Sequence, residues 1–110
     1  MNEEDHTKAI AKLNDEHRAH VGPGWVITPG VEALGPVRAA LAAAAVVAFD
    51  AFDEDNDPHG ERDFGAFDLV GARLFWKIDY YDCNYALASP NPADPAVTRR
   101  VLTLMLAEEY

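Results

Sequence analysis

The sequence predicts an α+β domain: a small antiparallel sheet packed by N-terminal, central and C-terminal helices. Three observations lead there. Residues 3–20 and 36–52 repeat apolar side chains at helical spacing. Residues 64–69 and 72–80 read as two strands flanking Val70-Gly71, a hairpin in which Gly71 supplies positive φ. The 110 residues, 49% apolar, allow one modest core and therefore a single domain over 1–110.

The first helix carries acids in its first turn, where they complement the helix dipole, and sets Ile10, Leu13 and His17 on one face. Gly22-Pro23-Gly24 stops it. Residues 25–28, aromatic and β-branched, read as a short strand, and residues 31–34 as one helical turn. Pro36 opens the central helix, which carries Val37, Leu41, Ala44 or Ala45, and Ala48 at core spacing, and whose Ala-rich face permits close approach to a neighbour. Along residues 72–80, Leu74, Trp76, Ile78 and Tyr80 share one face; Phe75, Lys77, Asp79 and Tyr81 share the other. Residues 84–87 read as a further edge strand. Asp94 as N-cap and Pro95 at the first helical position predict a last helix over 96–109 with Val97, Val101, Leu104 and Met105 as its buried stripe. Arg99 and Arg100 come early in that segment and Glu108 and Glu109 late, an order that opposes the helix dipole and leaves packing to hold it.

Charge is concentrated in one stretch. Residues 50–68 hold eight acids against one base, Arg62, and so supply −7 of the chain's formal −10. Nine scattered bases do not make a phosphate-binding patch, which argues against direct nucleic-acid contact, and anionic membranes repel such a chain. The complement of this surface is a basic protein partner or a cation. The lone Cys83 forms no internal disulfide, the acidic N-terminus lacks the apolar core of a secretory signal, and the eleven uncharged residues 39–49 are too few to span a bilayer; a cytoplasmic location is expected.

Known chemistries fit this stretch poorly. Asp53, Asp55 and Asp57 match positions 1, 3 and 5 of an EF-hand loop, but Pro58 stands where the sharp turn needs Gly and Phe64 where a bidentate Glu is needed. The cluster Asp57, His59, Glu61 and Asp63 is the alternative site, a cation-dependent hydrolytic or metal-binding centre; neither it nor Glu16, His17 and His20 has a recognised zinc spacing. Ser89 precedes Pro90 rather than sitting on a nucleophile elbow, and Asp82 beside Cys83 disfavours a thiolate. The sequence thus predicts no catalytic residue, no cofactor and no bound metal. Phe75, Trp76, Tyr80 and Tyr81 interleave with Lys77, Asp79 and Asp82, and Tyr beside carboxylates suits contact with an Arg-rich surface.

The strings Asn56-Asp57-Pro58-His59-Gly60-Glu61 with Asp63-Phe64-Gly65, Phe75-Trp76-Lys77-Ile78-Asp79-Tyr80-Tyr81-Asp82, and Pro92-Ala93-Asp94-Pro95-Ala96-Val97-Thr98-Arg99-Arg100-Val101-Leu102 followed by Met105-Leu106-Ala107-Glu108-Glu109-Tyr110 carry a resemblance. Over residues 8–110 the chain resembles a bacterial family of small proteins labelled only as a domain of unknown function. It departs from that pattern at Arg62 and Asn91, where His and Asp are expected. The resemblance implies a setting near plasmid and phage genes and no catalytic roles. The functional expectation is an acidic interaction protein that inhibits a nucleic-acid-binding partner by covering its basic surface, most concretely an anti-CRISPR protein acting on a CRISPR effector complex. Its partner-binding residues are expected to be Asp53, Glu54, Asp55, Asp57, Glu61, Asp63, Asp79, Tyr81 and Asp82.

Overall fold

A computed structural model describes residues 2–69 and 71–110. The elements run α1 (Glu3–Arg18), β1 (Trp25–Ile27), α2 (Pro29–Glu32), α3 (Pro36–Val47), β2 (Phe64–Leu69), β3 (Ala72–Tyr81) and β4 (Arg99–Leu106), then a 3₁₀ turn, Ala107–Glu109. The four strands form one sheet in the order β1-β4-β3-β2. The architecture is α+β, with α1, α2 and α3 on one face of the sheet and none of them on the other.

The termini of α1 follow its sequence. Asn2 Oδ1 accepts the Asp5 N–H at 2.8 Å, and Glu3, Glu4 and Asp5 fill the first turn. Thr28 caps α2 in the same way and Pro29 begins it. Gly35, with φ 93°, sets the turn into α3, which again starts on proline.

The hairpin of β2 and β3 stands in the expected place. Phe64 pairs with Lys77 and Leu69 with Ala72, and Gly71 takes φ 81°; Val70, the other expected turn residue, lies outside the described residues. Leu74, Trp76 and Ile78 point to the helices and are buried, joined by Leu102 and Leu104 of β4, Val31 of α2, and Ala42, Ala43 and Val46 of α3. Gly65 sits over the Trp76 indole, where a Cβ would run into Nε1 and the Phe49 ring. That close approach explains a glycine inside a strand. Phe49 and Phe52 meet Trp76 edge-on at 5.6 and 6.1 Å between centroids.

Five expectations are corrected. Residues 96–109 are not a helix: Arg99–Leu106 is strand β4, central in the sheet, antiparallel to β3 and parallel to β1. The segment alternates as well as it repeats at helical spacing. Arg100, Leu102, Leu104 and Leu106 pair in register with Tyr80, Ile78, Trp76 and Leu74 on the helix-facing side. Val101 and Thr103 are β-branched, and a strand carries no dipole for the misplaced end charges to oppose. Asp94 accepts the Ala96 N–H at 2.9 Å and so caps a turn rather than a helix. Second, the sheet is mixed rather than antiparallel, because β1 joins β4 in parallel. Third, the central helix ends at Val47, five residues before Phe52, since the carbonyls of Val46, Val47 and Phe49 are taken by the Arg18 side chain. Fourth, residues 84–87 form a loop; only the neighbouring Ala88 makes a bridge, to Tyr81. Fifth, Val37 and Leu41 are exposed, and the central helix buries Ala42, Ala43 and Val46 instead.

The alternation of β4 is directly testable. Truncating Leu104, which is fully buried, should cost about 2–5 kcal/mol of stability in urea denaturation, whereas Thr103→Ala, one residue along and half-exposed, should cost less than about 1 kcal/mol. Equal losses at the two positions would contradict the strand.

Candidate partner-binding surface

The acidic stretch leaves α3, crosses one end of the sheet and enters β2 at Phe64. Its first half is braced by its own side chains. Asp53 Oδ1 accepts the Asp55 and Asn56 N–H groups at 2.9 and 3.0 Å. Asn56 answers by accepting the Asp53 N–H at 3.0 Å and donating to the Ala51 carbonyl at 2.8 Å. Asp57 Oδ1 accepts the Arg62 N–H, which lets Arg62 hold φ 56°, and Gly60 turns at φ 73°. The loop is therefore a built structure whose acids divide by role. Asp53 and Asp57 shape it, while Asp50, Glu54 and Asp55 project from it, exposed and without an ion pair among the described residues.

The second half turns inward. Glu61 Oε1 accepts the Tyr80 hydroxyl at 2.8 Å. Asn14 of α1, fully buried, donates to Tyr80 Oη at 2.8 Å and to the Glu61 carbonyl at 2.9 Å, and accepts from Arg100 Nε at 2.7 Å. Arg100 also donates to the Pro92 carbonyl and lies 5.1 Å over the Tyr80 ring. Burial pushes the Tyr80 hydroxyl up and the Arg100 guanidinium down from their ordinary values. Asp63 is half-buried: burial first, then the charges of Glu61 and Asp57, push its carboxyl above the ordinary 3.8.

Of the bases near the loop, Lys12 of α1 is exposed, while Lys8 pairs with Glu4 at 3.1 Å and two arginines are buried or paired. Arg18 is buried beneath Phe52, and Arg62 bonds Asp15 Oδ2 at 3.1 Å while lying 4.9 Å over the Phe52 ring. The N-terminus of α1 adds acids to this side: Glu3, Glu4 and Gly60 line one shallow groove together with Lys8, the partner of Glu4. These acids lie far from the loop in sequence, and only the fold brings residue 60 beside the first turn of α1.

The remaining expected residues lie apart from the loop tip. Asp79 is on the open sheet face, paired with Lys77 at 2.9 Å, a bond that raises the Lys77 ammonium. Tyr81 ends the same face against Tyr85, which takes φ 57°. Asp82 folds back on its own turn, where the Ala86 N–H and its neighbours hold the carboxyl below the ordinary carboxylate range. The nine expected residues thus form three groups: a displayed and braced loop tip (Asp53, Glu54, Asp55, Asp57), an inward pair (Glu61, Asp63), and a strand end (Asp79, Tyr81, Asp82).

The proposed cation cluster is likewise divided. Asp57 is engaged with Arg62, Glu61 with Tyr80, and His59 is exposed; among the described residues no three His, Cys, Asp or Glu side chains are grouped to hold a metal ion. His17 bonds the Gly24 carbonyl at 2.9 Å and His20 is exposed. No helix among the described residues is long and apolar enough to cross a membrane.

Fold and surface together define a small α+β protein with helices on one side of a mixed sheet and an ordered acidic loop at its end. The family described as "Protein of unknown function (DUF3768)" matches residues 27–109, and the chain belongs to it. Neither a curated protein nor a solved structure matches the chain.

Asp63 gives this surface a pH signature. Because the native state holds the Asp63 proton more tightly than the unfolded chain, ionised Asp63 opposes folding, and stability falls as pH rises from 3.8 through the higher native value. Asp63→Asn should therefore raise the melting temperature at pH 7, with the gain vanishing below about pH 3, where the carboxyl is protonated in both states. A melting curve unchanged at pH 7 would contradict the placement of Asp63.

Proposed function

We propose that this protein is an acidic interaction protein that occupies a basic, phosphate-binding surface on a nucleic-acid-binding partner and so competes with the nucleic acid. The observation that carries the reading is the division of charge at the loop: Asp50, Glu54 and Asp55 face solvent without a base, while Arg18 and Arg62 are buried or paired behind them. Carboxylates held on a braced turn are pre-organised. A partner's Lys and Arg side chains meet them without the entropy cost of ordering a flexible segment. Acids in the first turn of α1 extend the same negative field and steer encounter with a positive groove.

A CRISPR effector complex is the most concrete member of this target class, since its positively charged channel grips nucleic-acid backbones. Affinity capture from cells that carry an active CRISPR system, read by mass spectrometry, separates that target from other basic proteins. Binding to the captured partner should weaken at least about tenfold between 0.1 and 0.5 M salt. The structure also selects the variants. Reversing Asp53 or Asp57 would remove the acceptors that shape the loop, so Glu54→Lys and Asp55→Lys are the cleaner test. The double variant should keep the wild-type melting temperature and lose at least about tenfold in affinity for the partner. Affinity indifferent both to salt and to this double reversal would sink the proposal.

A further inference from the structure

The side of the sheet opposite the helices is covered at one corner by Tyr110, beside which Met105 is buried, and by no α-helix among the described residues. Apolar groups run across it from Val26 on β1, through Val101 on β4 and Phe75 on β3, to Phe64 on β2. Val26 is 49% exposed, and Tyr110, 76% exposed, lies against the Phe64 and Phe75 rings at 6.2 and 5.6 Å between centroids. Two features suggest what would cover this face. The first is size. Strands of three, eight, ten and six residues, rising about 3.3 Å per residue and about 4.8 Å apart, make a footprint on the order of 400 Å². Once corrugated by side chains, that approaches the roughly 800 Å² per partner of a standard interface. The outer face of α3, where Val37 and Leu41 are also exposed, belongs to a single helix of 12 residues and offers far less.

The second is charge. In a chain of net charge −10, two copies repel each other over most of their surfaces. This face is the exception: it carries Arg73, Lys77 and Arg99 against two acids, Asp68 and Asp79. Lys77 and Asp79 stand near its middle, 2.9 Å apart and both 39% exposed. In a two-fold interface the same patch meets itself, so Asp79 of one copy can lie against Lys77 or Arg99 of the other, and each charge keeps a partner as water leaves.

We propose that the open sheet face is a self-association surface, and that two copies pack sheet against sheet about a two-fold axis near Lys77 and Thr103. The helices then lie on the two outsides, and each acidic loop emerges from the edge of its own sheet, free to engage a partner.

The test is the mass of the full chain in solution, by light scattering or sedimentation equilibrium from about 5 to 200 μM, which spans micromolar dissociation constants. The expected mass is twice the 12.1 kDa of the chain. Phe75→Glu and Val101→Lys should each return it to the single-chain value. Thr103→Arg, a polar residue of the same face, gives the same reading with less risk to folding, and circular dichroism confirms that each variant keeps its structure. Leu41→Lys on α3 and Glu54→Lys on the acidic loop should leave the doubled mass intact, which keeps this test separate from that of partner binding. A single-chain mass at every concentration would overturn the proposal, including the case where some other protein covers the face. So would a doubled mass that survives all three sheet-face variants, or one that is lost in Leu41→Lys instead.

Discussion

The rest of the structure depends on one buried cation. Arg18, at the end of α1, donates from one nitrogen to three carbonyls at the end of α3, those of Val46, Val47 and Phe49, at 2.7–3.2 Å, and from the other to Asp15. Its guanidinium lies 5.4 and 5.2 Å from the Phe52 and Trp76 rings. A helix end leaves carbonyls without partners and carries partial negative charge, so a planar cation with several donors satisfies it well. Through this single side chain α1 fixes where α3 stops. It also turns the chain so that Phe49 and Phe52 face the indole of Trp76. The acidic loop begins from that fixed point.

A second polar junction sets the other end of the loop. Asn14 stands one helical turn before Arg18 on the same side of α1 and meets Glu61, Tyr80 and Arg100, which come from the loop, β3 and β4. Buried polar groups are costly unless each finds a partner, and here the amide, phenol and guanidinium partner one another. The loop is thus pinned at both ends to the same helix. Its tip is left to present Glu54 and Asp55, while its base is shaped by interactions that no surface partner would disturb.

Much of this was legible in the sequence where the signal is local. The acidic first turn of α1, the proline start of α3, the hairpin around Gly71 and the burial of Leu74, Trp76 and Ile78 follow from spacing and turn chemistry within a few residues. The acidic stretch was visible as composition. The identity of residues 99–106 was not, because an apolar pattern of Val101, Leu102, Leu104 and Met105 satisfies a helical face and a strand almost equally. The end charges that disfavoured the helix were the available hint, a conflict between local electrostatics and the assigned element. Arg18 and Asn14 could not be found at all. Each reads as an ordinary polar position on an amphipathic helix, and their burial is decided by groups 28 to 86 residues away. The division of the loop's acids into displayed and structural ones was equally hidden, since it rests on which backbone amides each carboxylate meets.

The position of β4 bears on how the chain reaches this state. It is the last strand in sequence and a central one in the sheet, with β1 on one side and β3 on the other. The pairing of Trp25 with Leu102 closes a separation of more than seventy residues. Neither neighbour can complete its hydrogen-bond ladder until residues 99–106 are in place. As a polypeptide emerging from the ribosome, the first ninety residues would hold helices and a hairpin with their apolar sides still wet. Contacts this distant in sequence carry a large loop-closure cost and slow folding. Arrival of the final strand then acts as the keystone, joining two otherwise separate pieces in a single cooperative step.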